Sequence, residues 1–322
     1  MIQKKALICG VSGQDGAYLA KLLIEKNYQV FGGSRDAQNS NFENLKHLEI
    51  FNLIEYVSIS VNDFRSVLQV IMKIEPDEIY NLAGQSSVAL SFEQPVETLE
   101  SIGFGTLNLL EAIRFSKLPI KLYNAGSSEC FGNVNEAVNE ETPFRPRSPY
   151  GVAKATAFWE VSNYREAYNL FACTGILFNH ESPFRKERFV TKKIISSACR
   201  IFKGSTEKLV LGNINVYRDW GWAPEYVEAM WLMLQQKKAE DFVIATGESI
   251  SLKEFVIYAF ESLNLDWTKY VTYDDSLLRP TDIDKGLANP KKAKEVLKWE
   301  PKIKSRALIE LLIKCELNEI YI

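Results

Sequence analysis

The stretch Ala6-Leu7-Ile8-Cys9-Gly10-Val11-Ser12-Gly13-Gln14-Asp15-Gly16 passes from a short apolar run into three glycines and then into a helical pattern reaching Lys26. Strand, tight turn and helix in this order let backbone N–H groups approach a pyrophosphate at a helix N-terminus. Glycine turns also join strands to helices for geometry alone, so the flanking chain has to decide the fold.

Downstream, Tyr28–Gly33, Ile54–Ser60, Glu78–Leu82, Ile120–Ala125 and Phe171–Phe178 read as strands, with helices over Asp63–Ile74 and Gln94–Phe115. This alternation predicts an α/β fold, a doubly wound parallel sheet of Rossmann type with helices on both faces. Beyond about Asn179 the order loosens. Turn-rich patches at His180–Arg188 and Leu277–Pro290 separate helices expected over Ala223–Gln236, Leu252–Ser262 and Ile309–Leu317, which predicts a smaller mixed α/β C-terminal lobe.

The composition excludes several classes. Basic and acidic residues number 38 and 41, without long runs of either sign, so neither nucleic acid nor a membrane surface is an expected partner. Five scattered cysteines and two histidines support neither a disulfide framework nor a metal site. The apolar run after Met1 is too short for a signal segment and no stretch reaches membrane-spanning length, so a cytoplasmic protein is expected.

Arg35 closes the second strand, where a guanidinium suits an adenosine 2′-phosphate and favours NADP, with NAD left open by the adjacent Asp36. Ser148-Pro149-Tyr150-Gly151-Val152-Ala153-Lys154 sets a phenol and an ammonium four residues apart on one helix face. Beside a cationic nicotinamide such a phenol is expected below its ordinary pKa of about 10, able to exchange a proton with a sugar hydroxyl. Ser127 and Glu129 stand just past the fifth strand, where a carboxylate is costly unless it is paired, solvated or used.

These residues resemble the extended short-chain dehydrogenase/reductases, and within them the GDP-mannose 4,6-dehydratases. The shared strings run from about Lys5 to Pro301. They include the glycine loop, Ser148–Lys154, Arg165–Ala172, Leu177–Pro183, Arg218–Gly221, Tyr226–Gln235, Asp241–Glu248 and Arg279–Thr281. The resemblance implies C4 oxidation of the sugar by NADP+, loss of water across C5 and C6, and return of the hydride to C6. It implies a dinucleotide-binding domain over 1–178, completed by about 217–245, and a sugar-nucleotide-binding lobe over 179–216 and 246–322.

By resemblance, Tyr150 is the C4 base, Lys154 its electrostatic partner, Ser127 the hydroxyl that bonds O4, and Glu129 the acid/base at C5 and C6. The cofactor would meet Gly10, Gly13, Gln14, Asp15, Gly16, Arg35, Ser60 and Val61, then Leu82, Ala83, Gln85 and Ser86, and finally Tyr150, Lys154, His180 and Arg185. Ser86, Ser127 and Glu129 would also face the substrate, whose nucleotide end would lie against Asn179, Val190, Lys193, Gly212, Arg218, Arg279 and Asp282. A homo-oligomer, dimer or tetramer, is expected.

The chain departs from the pattern where Asp36 replaces an arginine, Ser60 an acid, Phe184 an arginine and Cys130-Phe131 a Leu-Tyr pair. The same dehydration of a GDP-heptose or GDP-acetamido sugar therefore stays open. A sugar-nucleotide epimerase or 4-keto reductase is opposed by Glu129, and a non-catalytic dinucleotide binder by the joint presence of hydroxyl, carboxylate, phenol and ammonium. Trp220, Trp222 and Trp231 are expected in packing.

Overall fold

The computed structural model describes residues 3–318. The chain opens with β1 (Lys5–Cys9), α1 (Gln14–Glu25) and β2 (Gln29–Ser34), then the short α2 (Glu43–His47) leads to β3 (Glu55–Ser58), α3 (Phe64–Ile74) and β4 (Glu78–Asn81). Asp63 caps α3 by accepting from the Arg65 N–H, the local reason that helix starts there.

Val88–Glu93 (α4), Pro95–Leu99 (α5) and Gly105–Ser116 (α6) follow. The single helix expected over Gln94–Phe115 is thus two, joined by a wider π-type turn at Glu100–Phe104. Gly103 and Gly105 account for the junction: side chains there would meet Leu99 at 3.3 Å and Val61 at 3.0 Å.

Then come β5 (Lys121–Ala125), α7 (Pro149–Tyr168) and β6 (Ala172–Leu177). Ser148 caps α7 and Pro149 fills its first turn, which fixes where Tyr150 and Lys154 project. Asn179–Glu181 (β7), inside a patch read as turn-rich, is a strand, and Val190–Phe202 (α8) is a helix that the sequence reading left unassigned. The rest runs through β8 (Leu209–Leu211), β9 (Tyr217–Trp222), α9 (Ala223–Leu234), β10 (Phe242–Ile244), β11 (Ser249–Ser251), α10 (Leu252–Glu261), β12 (Val271–Tyr273) and α11 (Ser305–Glu316).

Seven strands form one parallel sheet in the order β10-β6-β5-β4-β1-β2-β3. Alternate residues of β1 serve opposite faces. Ala6 and Ile8 join a core with α1 and α9, whereas Leu7 and Cys9 join one with α3 and α6. A third core unites α8, α10, α11 and Trp220. β9 pairs with β7 and β11, so α9 and β10 make the return to the large sheet. The order reverses between β1 and β4, and ligands of such sheets bind beyond the strand ends at that crevice.

Candidate active site

The glycine loop is set by backbone proximity. Gly10 has φ +91°, and a Cβ on it would stand 2.9 Å from the Leu82 carbonyl oxygen; one on Gly16 would stand 2.3 Å from the Gly10 oxygen. Only glycine allows α1 to start so close to the ends of β1 and β4. Gly13 is the N-cap of α1 and no side chain caps that end, which leaves first-turn N–H groups for an incoming anion.

Asp15 lies in that first turn, yet its charge is matched. His180 Nδ1 donates to the Phe178 carbonyl at 2.8 Å and its Nε2 faces Asp15 Oδ2 at 2.9 Å. Burial raises the Asp15 pKa, but the His180 charge and hydrogen bonds outweigh it and hold the carboxyl at about 2. His180 is raised in turn: its desolvation is overcome by Asp15 and the Phe178 carbonyl. The imidazole stacks on Tyr226 at 4.6 Å, and Gln14 braces the pair by donating to Asp15 and to the His180 carbonyl.

A cleft of about 440 Å³ opens at the carboxyl ends of β1, β4, β5 and β6 and is closed by the C-terminal lobe. Of the residues singled out by sequence, it gathers Asp15, Leu82, Ala83, Gln85, Ser86, Ser127, Glu129, Tyr150, Lys154, Asn179, His180 and Arg185, together with Val190, Lys193, Gly212, Arg218, Arg279 and Asp282. Gly10, Gly13, Gln14, Gly16, Arg35, Ser60 and Val61 do not line it. They sit along the same sheet edge, at the ends of β1, β2 and β3.

At the reacting end, Lys154 donates to the Ala125 carbonyl at 2.6 Å, and burial brings its ammonium down to about 8. Ser127 accepts from the Glu129 N–H at 3.2 Å and so caps the turn that carries the carboxylate. Its hydroxyl also lowers the nearby Tyr150 phenol, but burial dominates, and Glu129 and Cys130 push the same way as burial. Without a cofactor beside it, Tyr150 therefore lies above its ordinary value. The Lys154 ammonium, which donates to Ala125, lies 5.8 Å from the phenol ring centre.

Glu129 is half-buried, and its carboxylate has no hydrogen-bond partner among the described residues. Desolvation raises its pKa; Arg218 and Arg279 lower it and Asp282 raises it. Toward the C-terminal lobe the charges are prepaired. Arg218 donates to the Ile283 carbonyl at 2.7 Å, the Tyr217 carbonyl at 2.9 Å and Asp282 at 3.0 Å, and Arg279 reaches the same carboxylate oxygen at 3.2 Å. Lys193 donates to the Val210 carbonyl, and Arg185 lies beside Glu181 and over the Phe189 ring.

Arg35 is exposed and has no ion pair among the described residues. Asp36 accepts from the Gln38 and Asn39 N–H groups, so its charge is spent on its own turn. The sequence reading missed Arg188, Phe189, Asn213 and Trp220, all of which line the cleft. Trp220 packs edge-on against Phe255 as expected and also presents a face to the cleft. The run Arg185–Phe189, with three cations and an aromatic next to His180, was the available signal for Arg188 and Phe189.

Among the described residues no His, Cys, Asp and Glu cluster suits a metal ion, and no helix is long and apolar enough to cross a membrane. A family model described as GDP-mannose 4,6 dehydratase matches residues 7–312. GDP-mannose 4,6 dehydratase 1 of Arabidopsis thaliana is 46% identical, over 98% of this chain and 90% of that protein. In fold the chain resembles dTDP-glucose 4,6-dehydratase of Bacillus anthracis, solved with NAD (TM-score 0.85, 21% identity, 98% of this chain and 97% of that one). It likewise resembles RMD of Pseudomonas aeruginosa, solved with NADPH (TM-score 0.80, 20% identity, 99% of each chain).

Proposed function

The chain belongs to the GDP-mannose 4,6-dehydratase family, and on that premise we propose that its cleft converts GDP-mannose to GDP-4-keto-6-deoxymannose. The observation that carries the reading is Glu129: a carboxylate without a hydrogen-bond partner among the described residues, raised by burial, in one cleft with Ser127, Tyr150 and Lys154.

The fold family implies a nicotinamide dinucleotide, and the residues present suit one. The uncapped α1 N-terminus, the Gly10 and Gly16 approaches and the neutralised Asp15 make room for a pyrophosphate. We favour NADP because Arg35 has no ion pair among the described residues while Asp36 is occupied by its own turn. When bound, the nicotinamide would supply the acceptor for the C4 hydride and the donor that returns it to C6.

The chain's own residues handle protons and position. Tyr150 takes the O4 proton, with the Lys154 ammonium and the Ser127 hydroxyl favouring its phenolate. The 4-keto group acidifies the C5 proton. Glu129 removes that proton and protonates the departing C6 hydroxyl, for which a pKa above the usual carboxylate range suits it. Arg218 and Arg279, held in place by Asp282, meet the diphosphate.

Assembly belongs to the same reading. Val96, Phe104, Val152 and Trp159, on α5, the π-type turn and α7, are all exposed, an apolar surface that a homo-oligomer would cover. Mass spectrometry of GDP-mannose incubated with the protein and catalytic NADP+ tests the function. Loss of one water without net cofactor reduction is expected; intact GDP-mannose alongside bound NADP+ would overturn the choice of sugar and lead to GDP-heptose and GDP-acetamido sugars.

A further inference from the structure

Glu129 faces two spaces. Besides the cleft it lines a small cavity of about 10 Å³, the size that admits one water. Ser128, Glu129, Phe178 and Arg218 are common to both spaces and form the wall between them. On its far side the cavity is bounded by Val134 and by Gly286 and Leu287, which are only part-buried. The two loops that enclose it are tied together: Asn133 Nδ2 donates to Asp284 at 3.2 Å, the Asp284 N–H donates to Asn133 Oδ1 at 2.6 Å, and the Val138 N–H donates to the Leu287 carbonyl at 3.0 Å. The outer wall of the cavity is thus only part-buried, and Glu129 forms part of its inner wall.

The proposed reaction, on which this inference rests, needs such an opening. After Glu129 has moved the C5 proton to the leaving C6 hydroxyl it is a bare carboxylate, and C5 still requires a proton when C6 is reduced. At that moment the sugar nucleotide fills the cleft. We propose that a water in the cavity behind Glu129 reprotonates it from the solvent side, and that Glu129 delivers this proton to C5. The protons balance: O4 and C5 each lose one and the leaving oxygen and C5 each gain one, while the proton taken by Tyr150 returns to solvent. Ser128 and Arg218 provide the polar neighbours that a water there requires.

Filling and widening the cavity test the route. Wild-type protein is first assayed with GDP-mannose in D2O; failure to dehydrate it would refute the proposed function, not the route. Given dehydration, the product should carry deuterium at C5, and its absence would overturn the route. Val134→Phe and Leu287→Phe, with melting temperatures near wild type, should lower kcat about tenfold, part of the roughly 10²-fold that general acid–base catalysis contributes. KM should hold, the solvent isotope effect should rise, and the 4-keto-5,6-ene sugar should accumulate by mass. Leu287→Ala, which enlarges the space, should keep wild-type kcat. Filled variants with unaltered kcat, or an equal loss in Leu287→Ala, would overturn the proposal, the latter by assigning the effect to packing.

Discussion

The two ends of the cleft hold charge differently. At the end proposed for the nucleotide, Arg218 and Arg279 converge on Asp282, and Arg218 is further fixed by two carbonyls, so its geometry is set before any ligand arrives. At the reacting end the groups are buried with few partners, and their proton affinities move: Lys154 to about 8, Tyr150 and Glu129 upward. Prepaired charge gives position and displaced pKa gives chemistry. The ends are also coupled, because the two arginines and Asp282 act on Glu129 in opposite directions.

The contrast breaks most sharply at the phenol. Tyr150→Phe should cut turnover by about 10²- to 10⁴-fold, the usual worth of a positioned general base, and leave the Kd for GDP close to wild type. Titration calorimetry alongside steady-state kinetics checks it; equal losses in both would make Tyr150 a binding residue.

The coupling predicts a second, smaller effect. As a base Glu129 must be ionised, so kcat/KM should fall as pH drops through its pKa. Asp282→Asn should move that limb to lower pH and Arg279→Ala to higher pH. pH–rate profiles of the two variants moving the same way would sever the link.

The Asp15–His180 pair should appear in stability. Asp15 is depressed to about 2, so its contribution is full above the unfolded value near 4 and is lost as pH falls through the folded one. His180 is raised, so its contribution is full below about 6.5 and is lost as pH rises through its folded value. Wild type should therefore exceed Asp15→Asn in melting temperature most at about pH 5 to 6, with the gap closing on both sides.

The smallest effect lies at the adenosine end. Arg35→Ala should weaken NADP+ binding about tenfold, the worth of a charged hydrogen bond, and leave NAD+ binding unchanged; fluorescence titration with both would show it.

Which parts were legible in the sequence follows from the physics of each signal. β1 through β6 alternate or run apolar because both sheet faces are covered, and Gly10 and Gly16 mark backbone approaches that no other residue permits. Tyr150 and Lys154 follow from helical spacing behind a Ser-Pro cap. By contrast, Asn179–Glu181 is a strand made of polar residues held by β9 and by His180's partners, so no hydrophobic period announces it. The break at Glu100–Phe104 depends on what packs against Gly103 and Gly105. For the Tyr150 phenol, spacing shows that Lys154 is near but not that its ammonium donates to Ala125.

In the proposed reaction the Glu129 carboxyl, and no other group in the cleft, performs the elimination. The most direct test is Glu129→Gln mixed with stoichiometric NADP+ and GDP-mannose, with the sugar nucleotide weighed and cofactor absorbance followed through one turnover. Cofactor reduction is expected, with a 4-keto sugar nucleotide that keeps its water. Loss of water at the wild-type rate would contradict it.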